Sequence, residues 1–159
     1  MKKTFHWGIL GTGSIASKFA TDLQNLPDAV CYAVGSRSLD SAERFGNRFD
    51  AVKNYGSYEA LMADPEVDAI YIATPHPFHK ENTLACLAAG KPVLCEKPFA
   101  INSADSIEMV QQAREHKVFL MEAMWTRFLP VQVKVREWLT GGMIGEPLSL
   151  ICEIGRAHV

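Results

Sequence analysis

Five short stretches carry residue types that can do chemistry, and each sits where a hydrophobic run stops. The first is Gly8-Ile9-Leu10-Gly11-Thr12-Gly13-Ser14-Ile15-Ala16, which contains a G-x-G-x-x-A pattern. Gly11 permits a tight turn, Gly13 lets the backbone approach a pyrophosphate, and Ala16 lets the following helix lie close to its neighbours. A helix opening at Ser14 and Ile15 offers N–H donors and the positive end of its dipole to the same anion. The second stretch is Gly35-Ser36-Arg37-Ser38. A site preferring NAD usually has a carboxylate here, about 20 residues beyond the glycines, to bind the ribose 2′-hydroxyl. The first carboxylate after this strand is Asp40. Arg37 can instead stack on adenine and pair with a 2′-phosphate, to which Ser36 and Ser38 can donate. NADP(H) is therefore expected rather than NAD(H), with an ordinary solvated arginine as the alternative for Arg37.

The third stretch, Ala73-Thr74-Pro75-His76-Pro77-Phe78-His79, is a proline-stiffened turn after a strand. Ligands of open α/β sheets collect beyond such strand ends, so Thr74, Pro75, His76 and His79 are candidates for cofactor contact. Two histidines at this spacing also suggest a metal pair. No carboxylate or cysteine cluster completes one, so no metal is expected. Pinning the start of a helix is the other reading of His79. The fourth stretch is Cys95-Glu96-Lys97-Pro98. A lysine at a strand end, beside a nicotinamide, can trade a proton with a substrate hydroxyl, and burial there would help it do so. A surface Lys–Glu pair is the rival reading. Pro98 disfavours helix at Lys97. The fifth is Met121-Glu122-Ala123-Met124-Trp125-Thr126-Arg127-Phe128, which is either a ligand-facing strand exit or a packing cluster at a domain boundary.

These stretches need a scaffold, and the rest of the chain supplies one. Apolar runs alternate with helical patterns: strand Phe5–Leu10, helix Ser14–Leu26, strand Val30–Val34, helix Leu39–Phe49, a short strand around Val52-Lys53, and helix Ser57–Met62. Strand Val67–Ala73, helix Phe78–Ala89 closed by Gly90, strand Pro92–Cys95, helix Ser103–Glu115 and strand Val118–Met121 follow. Such a rhythm predicts an α/β fold of the Rossmann type, a doubly wound parallel sheet with right-handed crossovers. Beyond Met121 the rhythm changes to a helix, Leu129–Leu139, and a strand, Pro147–Ile154, as at the start of a second α+β domain. The expected domains are a nucleotide-binding unit at 1–123 and the beginning of a substrate and oligomerisation domain at 124–153.

With 159 residues, 48% hydrophobic and 21% charged, the chain is of the soluble globular class. Its net charge of −2 gives no basic field for nucleic acid or an anionic membrane surface. No run reaches the ~18 apolar residues of a membrane span. Gly8, Gly11 and Gly13 interrupt the apolar start, which argues against a signal peptide. Cys31, Cys86, Cys95 and Cys152 are far apart and mostly in apolar runs, as expected for buried thiols of a reducing cytoplasm.

Taken together, the glycine turn, Ala73-Thr74-Pro75 and Glu96-Lys97-Pro98 resemble the glucose–fructose oxidoreductase/inositol dehydrogenase family (Gfo/Idh/MocA), over residues 4–150. Within it, Thr74–His79, Val93–Pro98 and Glu122–Phe128 resemble the dimeric dihydrodiol dehydrogenases and the NADP-dependent aldose dehydrogenases of the xylose type. Many relatives have Asn where His76 stands. The resemblance implies a catalytic role for Lys97. It also implies a cofactor lining of Gly11, Gly13, Ser36, Arg37, Thr74, Pro75, His76, Glu96, Trp125 and Arg127. It further implies hydride transfer between NADP(H) and a secondary alcohol, a trans-dihydrodiol or an aldose C1 hydroxyl, in a homo-oligomer. The family's other catalytic groups lie in a second domain, so the chain alone is expected to be an inactive N-terminal fragment. A non-catalytic nucleotide-binding regulator or scaffold is the alternative. Finally, Ile154-Gly155-Arg156-Ala157-His158-Val159 can be encoded by ATC GGA AGA GCA CAC GTC, a common sequencing-adapter run, so residues 154–159 are expected to be a non-native tail. A simple truncation is the other explanation.

Overall fold

The computed structural model describes residues 4–151. Six strands form one sheet: β1 (Phe5–Leu10), β2 (Ala29–Gly35), β3 (Lys53–Tyr55), β4 (Ala69–Ile72), β5 (Val93–Cys95) and β6 (Leu120–Glu122). Their order is β3-β2-β1-β4-β5-β6, and all five pairings are parallel. Order reverses between β1 and β4, which opens the crevice where doubly wound sheets bind ligands.

Helices cover both faces. On one, α1 (Ser14–Leu23) and α2 (Leu39–Arg48) bury Ala16, Ala20, Leu23, Ala42 and Phe45 against Ile9, Val34, Tyr71 and Ala73. On the other, α3 (Tyr58–Met62), α4 (His79–Ala88) and α5 (Ser103–His116) bury Leu61, Met62, Leu87 and Met109 against Leu10, Ile70, Ile72 and Val93. Residues of β4 thus alternate between two cores, which is why that strand reads as an unbroken apolar run.

Several boundaries differ from expectation, for local reasons. Helix α1 stops at Leu23 rather than Leu26, and Leu26 N–H turns back to the Leu23 carbonyl at 2.9 Å. Pro27 excludes helical backbone at Leu26, so the last turn tightens instead. Strand β6 starts two residues later than Val118 because Val118 N–H closes α5, donating to the Ala113 carbonyl at 3.0 Å. Lys117, in the left-handed conformation, makes that closure possible. Before α4, Pro75 caps a 3-10 turn, His76–Phe78, that contains Pro77, so the α-helix itself begins at His79.

Residues 124 onward form a second unit. It contains a 3-10 turn, Trp125–Phe128, and α6 (Pro130–Thr140), with the Arg136 guanidinium donating to the Arg127 carbonyl at 2.7 Å. The strand expected at Pro147–Ile154 is not formed over residues 147–151, whose Leu148, Leu150 and Ile151 are exposed. A strand exists only by pairing, and nothing among the described residues pairs with this segment. Cys152 and the tail expected at 154–159 lie outside the described residues.

Candidate active site

The sheet's carboxyl edge is held in register beyond the strands themselves. Gly11 N–H donates to the Gly35 carbonyl (2.9 Å), Ser36 to Tyr55 (3.0 Å), Ala73 to Leu10 (2.9 Å), Glu96 to Ile72 (3.0 Å) and Ala123 to Cys95 (2.7 Å). Each chemistry-bearing stretch therefore leaves the sheet from a fixed point.

Between the exits of β1, β2 and β4 lies a cleft of about 550 Å³. Gly11, Gly13, Ser14, Ile15, Ser36, Arg37, Thr74, Pro75 and His76 line it together, with Thr12, Tyr58, Ala73 and Pro77. Gly11 sits at φ +102°, and a Cβ there would lie 2.8 Å from the Ala73 carbonyl oxygen. Gly13 is the N-cap of α1 at φ −81°, and a Cβ there would meet nothing within 4 Å. One glycine is required by the fold; the other keeps the cleft floor bare. Ala16, in the first turn of α1, is fully buried, as the close helix–sheet contact requires. Thr74 is positioned by Asn82 of α4, whose Nδ2 donates to Thr74 Oγ1 at 2.9 Å. Ser38 is the N-cap of α2, one residue beyond Arg37, and its hydroxyl makes no capping bond. Arg37 is exposed at the cleft's rim near Tyr58. Burial raises the Tyr58 phenol's pKa, and the positive charge of Arg37 opposes that shift.

The lysine stretch is braced from several sides. The Tyr71 hydroxyl donates to Glu96 Oε1 at 2.5 Å, and Glu96 Oε2 accepts from the Lys97 backbone N–H at 3.0 Å. Glu122 Oε1 accepts from Phe99 N–H at 3.0 Å, and the Lys97–Pro98 peptide bond is cis. His79 Nδ1 lies 2.8 Å from the Pro98 carbonyl oxygen and Nε2 lies 2.9 Å from that of Thr74. His79 is completely buried, and its two ring nitrogens face these two backbone carbonyls, which places it between the cleft wall and the lysine loop. Glu96 is likewise buried and turned inward. Lys97 is exposed among the described residues, not buried as expected, and its side chain forms no ion pair with Glu96 there. The surface Lys–Glu pair of the rival reading is thus absent. Trp125 and Arg127 belong to the second unit and are exposed within it. Among the described residues no cluster of His, Cys, Asp and Glu is placed to hold a metal ion, and no helix is long and apolar enough to cross a membrane.

Residues 5–124 match the family model GFO_IDH_MocA, described as an oxidoreductase family with an NAD-binding Rossmann fold. The chain belongs to this family. It is 51% identical over 151 residues to the trans-1,2-dihydrobenzene-1,2-diol dehydrogenase of Mus musculus, covering 94% of this chain and 45% of that protein. It is 41% identical over 163 residues to the D-xylose 1-dehydrogenase (NADP(+)) of Hypocrea jecorina, covering 95% and 42% respectively. A 3-ketoreductase from Actinomadura kijaniata, crystallised with NADP, superposes with a TM-score of 0.81 at 32% identity, covering 91% of this chain and 46% of that one. The chain spans about half the length of the curated relatives it matches.

The cleft of this Gfo/Idh/MocA member fits the dinucleotide that its family fold implies. Space stands open over Gly13 where a Cβ would intrude, and Ser14 and Ile15, the first residues of α1, line it with no acidic side chain in that turn. Tyr58, Asn82, Tyr71 and the bracing role of Glu122 were not legible as site features in the sequence. Tyr58 had one faint signal: an aromatic just after Ser57, which caps α3 by accepting from Ala60 N–H at 3.2 Å. Asn82 had another, lying one helical turn after His79 and so on the same face.

Proposed function

We propose that, at the length of its relatives, the protein is an NADP(H)-dependent oxidoreductase acting on a CH–OH group. Its substrate class is a secondary alcohol, a trans-dihydrodiol or an aldose with a free C1 hydroxyl. The observation that carries this reading is Lys97, an exposed amine on a loop braced at Glu96, Pro98 and Phe99, which makes no ion pair among the described residues. A nucleotide-binding module needs no such residue. The activities for which the mouse and Hypocrea relatives are named, on a dihydrodiol and on D-xylose with NADP(+), support the substrate class.

In this reading Gly11, Gly13, Ser14 and Ile15 hold the pyrophosphate, while Thr74, Pro75 and His76 form the wall toward the nicotinamide. The bound nicotinamide supplies hydride acceptance from the carbinol carbon, or hydride donation in reverse. Lys97 takes the hydroxyl proton as the carbonyl forms and returns it in the other direction. By the family resemblance, the remaining catalytic groups, the substrate pocket and a homo-oligomeric interface would come from a second domain present at the length of the relatives. The thiols of Cys31, Cys86 and Cys95, pushed up to about 12 by burial, take no part and suit a reducing cytoplasm. The test is an assay of the extended protein with NADP+ against trans-dihydrodiols, aldoses and inositols. NADPH formation with at least one class is expected. Tight NADP(H) binding without turnover on any of them would leave a binding module instead.

Arg37 and its serines support NADP(H) over NAD(H). Arg37→Ala is expected to weaken NADPH binding by about 1.5–3 kcal/mol, one to two decades, with NADH little affected. Tyr58→Ala, which removes a cleft wall rather than a charge, should weaken both cofactors together. Fluorescence titrations of the variants decide: equal losses of NADPH and NADH in Arg37→Ala would remove Arg37 as the reader of the 2′-phosphate.

A further inference from the structure

Glu96 is a buried carboxylate whose donors, among the described residues, are two neutral groups: the Tyr71 hydroxyl and the Lys97 backbone N–H. It has no ion-pair partner there. Burying an ionised carboxylate is costly unless its oxygens are satisfied, so its orientation depends on those two bonds. Tyr71 is itself fixed. It is 2% exposed in the middle of β4, and its ring stacks on Phe19 of α1 with centroids 3.9 Å apart and 18° between planes. Phe19 is held in turn by the edge of Trp7 at 5.2 Å. A tyrosine in such a place is often a core residue whose hydroxyl has merely found an acceptor. Here the acceptor is the residue beside Lys97, and its other oxygen holds Lys97's own backbone.

We propose that Tyr71 is a positioning residue for proton transfer: its hydroxyl fixes Glu96, and Glu96 fixes the backbone from which Lys97 reaches the substrate. This rests on the role given above to Lys97. The far side of the loop has separate braces, His79 at Pro98 and Glu122 at Phe99, so losing the Tyr71 tie frees Lys97 without releasing the loop. Because Phe19 lies on the helix that opens at the dinucleotide turn, Tyr71 also ties the lysine to the element that seats the cofactor. The stack depends on the ring alone; the tie depends on the hydroxyl.

The test is Tyr71→Phe in a protein extended to the length of its relatives, measured alone and in a Lys97→Ala background. Turnover should fall about 10- to 100-fold in the first, with the NADPH dissociation constant and the substrate KM nearly unchanged. In the Lys97→Ala background the same change should have little further effect on the residual rate, because the hydroxyl acts through the lysine. A purely structural role lowers both backgrounds alike, and that result overturns the proposal. Full turnover in Tyr71→Phe beside an impaired Lys97→Ala overturns it too, while leaving the lysine's role intact. Full turnover in Lys97→Ala removes both together. Should Tyr71→Phe alone fail to fold, Tyr71→Phe/Glu96→Gln buries no orphan charge and carries the test. It should match Glu96→Gln alone, and a further tenfold loss would count against the tie.

Discussion

Lys97→Ala is expected to lower turnover of the extended protein by about 10²–10⁴-fold while leaving NADPH binding nearly unchanged. The size follows from what a positioned proton donor or acceptor contributes to such a transfer. The separation of effects follows from geometry. Lys97 leaves the sheet at β5, whereas the cleft lies among the exits of β1, β2 and β4, so removing the amine takes nothing from the cleft lining. Its backbone is held by Glu96 and its loop by His79 and Glu122, none of which shares a hydrogen bond or ion pair with the Lys97 amine among the described residues. Stability should therefore change little, as for other exposed side chains. Single-turnover rates and cofactor titrations on the same preparation check both halves. Unchanged turnover would leave a nucleotide-binding regulator as the better account.

The sequence disclosed the parts of this site that chemistry writes locally. A glycine turn between strand and helix, an arginine where a carboxylate usually stands, and a lysine before proline at a strand end are each visible within a few residues. The parallel sheet followed from alternating apolar runs, because β4 is buried on both faces and hides any period of two. What could not be read was how side chains far apart in sequence meet. Tyr71 looked like one more apolar strand position, and its bond to Glu96 spans 25 residues. Glu122 appeared as a charge at a strand exit, yet its carboxylate reaches Phe99, 23 residues earlier. His79 was legible as the first residue of a helix. That both its nitrogens face carbonyls from two different loops is a property of the fold. The strand expected at Pro147–Ile154 is missing over its described residues, 147–151, for the opposite reason: its pattern is local, but a strand needs a neighbour.

Gly11 and Gly13 should separate stability from binding, although both belong to one motif. At Gly11 an alanine must take φ +102° and place its Cβ 2.8 Å from the Ala73 carbonyl oxygen, a backbone atom whose residue is tied to Leu10 at 2.9 Å. Neither the strain nor the clash can relax cheaply, so Gly11→Ala is expected to destabilise the domain by about 1–3 kcal/mol. Gly13 has an ordinary φ of −81°, and its Cβ would project into open space. Gly13→Ala should therefore keep the melting temperature, since fixing this backbone costs an alanine less entropy than a glycine. The added methyl would instead occupy the floor of the cleft where the pyrophosphate must approach. A misfit of one carbon in a fitted site is worth about 1–3 kcal/mol, so NADPH affinity should fall roughly 10- to 200-fold. Thermal unfolding without cofactor and NADPH titration, run on both variants, make the contrast measurable. If Gly13→Ala binds NADPH as tightly as the parent protein, the pyrophosphate does not lie against this turn, and the assignment of the cleft fails with it.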